Sequence, residues 1–197
     1  MHHPISSRSF LLSLALAALA MVMAGCASAP PKFASDISKD ETYYTQVGMW
    51  ADQGVEILAT NYERGTFIPA NSEAHIHEIT GDSISFRVPE LGDRTFRLLN
   101  VPKYTQADMR ELFDRTFAKE ALDLGQFSDD VAENIRQGQV EPGMSKDAVI
   151  AARGYPPAHE TPSLDLDRWR YWANRFGTNV VVFDYGTAGD ASADDDT

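Results

Sequence analysis

The chain has 197 residues, 17 basic and 29 acidic, for a net charge of −12, with 43% apolar residues and a single cysteine. An excess of acid argues against affinity built on phosphate neutralisation, so no nucleic-acid partner is expected. One cysteine excludes an internal disulfide framework and any multi-cysteine zinc site.

The first element is an address. Residues 1–9 are polar and carry Arg8, and Phe10 to Ala24 runs almost unbroken in Leu, Ala, Met and Val. A helix over that run spans roughly 22 Å, short of the ~30 Å hydrocarbon core. It has the length of a signal-peptide apolar region instead. The run ends in Met23-Ala24-Gly25-Cys26. Small residues before a lone Cys resemble the lipobox of bacterial lipoproteins, with Met23 where Leu is usual. The resemblance implies loss of residues 1–25 and acylation of Cys26, with palmitate as the typical chain. One acyl chain binds a membrane only marginally, whereas two or more anchor firmly; the lipoprotein modification supplies three. Ala27, where an Asp would signal retention, resembles the sorting pattern for the outer membrane. The expected location is the outer membrane, with a lipid anchor and the body in the periplasm.

Residues 26–45 are small, polar and Pro-containing, and read as the acylated Cys followed by a flexible linker. A small antiparallel β unit is expected over 46–102. Val55–Thr60, Ala74–Ile79 and Ile84–Val88 alternate apolar with polar, and Phe96 and Leu98 continue the pattern. Residues 103–127 read as an amphipathic helix and its connection. Thr105 is the expected cap, and Met109, Leu112, Phe113 and Phe117 share one face. Short helices are expected from Ser128, carrying Val131 and Ile135, and from Ser145, carrying Val149 and Ile150. Strands follow at Arg168–Trp172 and Asn179–Tyr185. Residues 188–197 read as a disordered acidic tail.

The order within 128–187 is the informative part. A helix with Ile135 leads to Gly143-Met144-Ser145, then a helix with Val149 and the stop Gly154-Tyr155-Pro156. The strand Trp169-Arg170-Tyr171-Trp172 and the apolar strand Val180–Phe183 complete it. This order resembles the BamE/SmpA/OmlA family of small outer-membrane lipoproteins. The connection Arg136–Pro142 is longer than in that family, and the last ribbon strand after Tyr185 is short or missing. The fold class expected is therefore α+β: a small antiparallel β unit followed by a helix–helix–β, BamE-like module. The resemblance implies an interaction module whose partner is an outer-membrane or other envelope protein.

Alternation on the Trp169 strand sends Trp169 and Tyr171 to one face and Arg168, Arg170 and Trp172 to the other. Arg168, Arg170, Trp172 and Arg175 form the candidate interaction face, suited to anionic head groups or an acidic partner. His75 and His77 lie two apart on a strand, beside Glu78 and with His159 far along the chain. A metal site needs three or four convergent ligands, and the spacing supplies two. No metal or other cofactor is expected. Nucleophile-elbow, Walker and His-Glu-x-x-His patterns are absent, and Cys26 is committed to lipid, so no catalytic residue is assigned. The reading is a non-catalytic, lipid-anchored scaffolding module in outer-membrane protein assembly or envelope integrity. The alternative is a periplasmic small-molecule or lipid-binding lipoprotein with an aromatic pocket between the β unit and the 128–185 module, in which the placement of Trp169, Tyr171 and Trp172 decides. A third reading, a hydrolase, would require His75, His77 and His159 in one cleft.

Overall fold

A computed structural model describes residues 28–60, 62–174, 176–184 and 187–189. Cys26, Arg175, Tyr185 and residues 190–197 lie outside the described residues. Ala188 and Gly189, expected to begin a disordered tail, are instead held in place: Ala188 pairs with Phe183, is 3% exposed, and donates its N–H to Met144 O. The fold is α+β. Eleven strands, four helices and three 3-10 turns form a six-stranded sheet, a three-stranded ribbon and a two-stranded pair among the described residues.

Segments with period-two alternation build most of the large sheet. Its strands are β1 (Thr42–Thr45), β3 (Glu56–Leu58), β5 (Glu73–Ile79), β6 (Ser83–Arg87), β7 (Thr95–Leu99) and β8 (Phe117–Ala118). Their order is β3-β7-β6-β5-β1-β8. Strand β5 sends Ala74, Ile76 and Ile79 inward and leaves His75 and His77 exposed, with a bulge between Ile76 and Glu78. The strand pairing differs from the expectation. The unit is mixed rather than antiparallel, because β3 runs parallel to β7 in the register Ile57↔Leu98. Strands β5 and β6 lie between β3 and β7 in the chain, so the two meet through a long connection, as a parallel pair requires.

The segment expected as a linker also differs. A 3-10 turn covers Lys32–Asp36, and Phe33, Ala34 and Ile37 pack on the first core. Strand β1 follows and sits between β5 and β8. Burial of Tyr43 at 2% exposure explains why so polar a stretch is ordered.

Helices cover the sheet on one side. After the single turn α1 (Pro102–Thr105), α2 spans Met109–Thr116. Its cap is Asp108, whose carboxylate accepts from the Glu111 N–H at 2.8 Å; Thr105 is instead the last residue of α1. Met109, Leu112 and Phe113 face the sheet and meet Ile57, Phe86 and Phe96 in the first core.

The second core lies between α3 (Asp129–Gln137), α4 (Lys146–Arg153) and the ribbon β9 (Arg168–Trp172), β10 (Thr178–Asp184) and β11 (Thr187–Ala188). Ser128 and Ser145 cap α3 and α4 by accepting from Val131 N and Ala148 N. Gly154 ends α4 with φ +82, a value that a residue with a Cβ adopts only at a cost. The last ribbon strand is two residues long.

The two cores touch. Ile150 of α4 packs against both. The paired strands β2 (Met49–Ala51) and β4 (Thr66–Ile68) form the joint. Gly48, just before β2, donates its N–H to Ala151 O at 2.9 Å, and a Cβ at this position would lie 2.1 Å from Ala152 O. Only glycine lets the strand backbone approach the helix this closely.

Candidate interaction surface

Strand β9 sorts its side chains by face. Trp169 and Tyr171 are 0% and 1% exposed, Arg168 is exposed, and Arg170 and Trp172 are half-buried. Trp169 meets Phe183 edge-on at 4.7 Å, and the Lys146 ammonium lies 5.8 and 5.4 Å from the two ring centres. The Tyr171 hydroxyl donates to Gly154 O at 3.1 Å, and the Arg153 guanidinium lies 4.7 Å from its ring centre. Arg153 is ion-paired with Glu63, which also accepts from the Asn179 amide at 3.2 Å. Burial pushes the Tyr171 hydroxyl far above its ordinary range and lowers Arg153, an effect that its position beside Tyr171 partly opposes. This cluster is structural. It closes the ribbon onto α4 and ties both to the loop before β4.

The tight packing removes the space that a pocket at Trp169 and Tyr171 would need. A cavity of about 40 Å³ does lie between the first core and the end of α4, lined by Met49, Ile57, Leu112 and Tyr155 among others. That volume has room for roughly two or three waters. It does not involve Trp169, Tyr171 or Trp172.

The outward side of β9 is organised differently. After α4, Pro156 and Pro157 forbid helix and lead to a turn in which Ala158 N donates to Tyr104 O at 2.8 Å. That bond brings His159 beside Tyr104 at 4.7 Å between ring centres. On its other side His159 stacks on Trp172, at 6.1 Å and 16° between planes. Lys103 lies 5.3 Å from the Tyr104 ring centre. Glu160 is 3.4 Å from His159 Nε2 and 3.9 Å from Arg170 Nε, while the Arg170 N–H donates to Thr161 Oγ1 at 3.0 Å. The result is a three-ring surface group, His159 stacked on Trp172 and tilted by 37° against Tyr104, joining α1, the loop after α4 and β9, with cations on its rim and one carboxylate bridging to it.

Of the sequence-derived face, Arg170 and Trp172 join this stack. Arg168 lies beside it, on a shallow concavity with Asp167, Arg170 and Asp184. Beyond Trp172 the ribbon turns at Asn174, whose side-chain oxygen accepts from Phe176 N and Gly177 N at 2.8 and 3.0 Å. Phe176 stands 85% exposed at that tip.

Tyr104, Lys103 and Glu160 were not expected there. The one sequence signal was the Pro156-Pro157 pair, which forces an extended chain after α4 without revealing where it lands. His75 and His77 lie on the open face of β5, whereas His159 belongs to the stack. Among the described residues no group of three or more His, Cys, Asp or Glu side chains converges as a metal set, and no helix is long and apolar enough to cross a membrane. No protein-family model, curated protein or solved structure matches the chain.

Proposed function

We propose that this chain is a non-catalytic lipoprotein of the bacterial envelope, anchored in the outer membrane through acylated Cys26, whose body docks another envelope protein. The observation that carries the docking role is the ordered stack Tyr104–His159–Trp172, flanked by Lys103 and Arg170. Partly exposed aromatic side chains with arginine are the residues that dominate protein interfaces. Contact of His159 with the rings on either side holds the group in place before any partner arrives, which lowers the entropy cost of association.

The anchor is supported by the lipobox-like Met23-Ala24-Gly25-Cys26 and the short apolar run before it. A BamE/SmpA/OmlA-like arrangement is supported by the order α3, Gly143 turn, α4, ribbon. The mechanism is scaffolding: the acyl chains confine the body to the membrane surface and so raise its effective concentration for partners there.

The test is affinity capture from native membranes with wild type and a Trp172→Ala variant. Envelope proteins recovered with wild type should be lost with the variant, as expected of a hot spot worth about 2 kcal/mol or more. Equal recovery from both chains would refute the assignment of this face.

A further inference from the structure

Among the described residues three large apolar side chains are exposed, Leu164 at 38%, Leu166 at 44% and Phe176 at 85%. The two leucines lie in the loop before β9, and partial exposure of single leucines is ordinary on a protein surface. Phe176 is placed differently. It stands in the turn at the tip of the β9–β10 ribbon, just past the pair Trp172↔Thr178. Burial of Trp169 and Tyr171 against α4 holds that ribbon rigidly to the body.

The turn that carries Phe176 pairs its own backbone. Ala173 N and Asn174 N both donate to Gly177 O, at 3.0 and 3.3 Å. Phe176 N and Gly177 N both donate to the Asn174 side-chain oxygen. The donors around the ring are thus satisfied without water. A segment that enters a low-water layer must meet this condition, because an unpaired N–H is costly there. Carboxylates are costly there too, and from Arg168 to Phe183 the sequence has no Asp or Glu, in a chain that holds 29. Two carboxylates reach the ribbon from other elements, Glu63 at Asn179 and Glu160 at Arg170, and each is paired with an arginine, Arg153 and Arg170. Asp184 lies at the opposite end of β10, about 20 Å from the turn at ~3.3 Å per residue.

We infer that the ribbon tip inserts Phe176 into the interface of the lipid bilayer, where head groups meet acyl chains. Aromatic side chains favour that layer. A protein pocket for the ring would require neither a self-paired backbone nor a tip without carboxylates, whereas lipid requires both. One phenyl ring is too small to hold a protein on a membrane, since even a single acyl chain does so only marginally. It orients a body already confined there, so the inference rests on the lipoprotein reading above. Trp172 lies two strand residues, about 7 Å, behind Asn174. With the tip in the interface, the Tyr104–His159–Trp172 group therefore sits close to the head groups, within reach of a membrane-embedded partner.

The experiment places a benzophenone derivative of phenylalanine, which keeps the ring, at Phe176 of the full chain and, in a second chain, at His77 on the open face of β5. Intact cells are irradiated and the labelled peptides are analysed by mass spectrometry. A phospholipid adduct at position 176, about tenfold or more above that at position 77, is the expected result. The purified membrane-bound chain, returned to vesicles of phosphatidylcholine alone, should give the same adduct, because the ring needs acyl chains and no particular head group. Adducts with protein only, no adduct at all, or equal phospholipid adducts from both positions overturn the inference, and so does loss of the adduct in the vesicles. A chain that stays in the membrane pellet without the adduct overturns the inference alone. A wild-type chain found in the soluble fraction overturns the anchor and the inference together.

Discussion

Single residues decide how this body holds together. At Gly48 the strand backbone meets α4 so closely that an added Cβ would overlap Ala152 O. Gly48→Ala is expected to cost about 3 kcal/mol, since backbone on both sides cannot yield as a side chain would. A urea titration checks this, and an unchanged midpoint would contradict it. Arg153 and Glu63 form a pair in which Arg153 is nearly buried and Glu63 a quarter exposed. Arg153→Ala strands the carboxylate and opens a gap over Tyr171, and its cost should approach about 3 kcal/mol. Tyr171→Phe removes only the bond to Gly154 O and should cost about 1 kcal/mol. The two variants, measured side by side, separate ion-pair loss from hydroxyl loss. Asp82 in the β5–β6 turn is held below its ordinary range chiefly by the Thr80 hydroxyl, with Ser28 and Ser83 adding to it. A depressed carboxylate contributes stability above its unfolded pKa and loses it as pH falls through the folded value. Acid unfolding of wild type and Asp82→Asn should therefore diverge in slope as pH falls below about 5, through the unfolded and then the folded value.

Elements show which parts of the fold were readable and why others were not. The alternation Trp169-Arg170-Tyr171-Trp172 placed two rings inside and two side chains outside, because a strand's period of two depends on local geometry alone. The serine caps at 128 and 145 are equally local, since a hydroxyl reaches only the N–H groups one turn ahead. Ser145→Ala should cost about 1 kcal/mol by removing the bond to Ala148 N, and a fall in Tm would report it. Strand β1 went unread because Thr42–Thr45 is short and polar at its ends, and it is made a strand by neighbours 31 and 74 residues away in the pairs Tyr43↔Ala74 and Tyr44↔Ala118. The parallel pairing of β3 with β7 likewise depends on a return path that no local pattern encodes. In the candidate site, Arg170 and Trp172 were legible as the outer side of β9. Tyr104 and His159 were not, because they sit 68 and 13 residues from Trp172 and meet it only through the turn at Ala158.

On the scale of the whole molecule, two cores share Ile150 and are pinned by Gly48, so the β unit and the helix–ribbon module are in direct contact. Buried rings in the second core stiffen β9, and its outer side carries Trp172 and Arg170 to the surface stack. The fold thus uses its aromatic residues twice, as packing inside and as a prepared surface outside. Anchoring adds the remaining element, since attachment through Cys26 would keep that surface near membrane-embedded partners. Cys26→Ser should move the protein from the membrane pellet to the soluble fraction, and retention in the pellet would contradict the anchor.

Docking of an envelope protein on the Tyr104–His159–Trp172 surface is tested most directly by a photo-crosslinking amino acid placed at Arg168, exposed beside the three rings and leaving them intact, and in a control chain at His77 on the open face of β5, with irradiation of intact cells. A discrete adduct with an outer-membrane or other envelope protein is expected from position 168 and none from position 77. The absence of any protein adduct at 168, or the same adducts from both positions, would contradict the assignment.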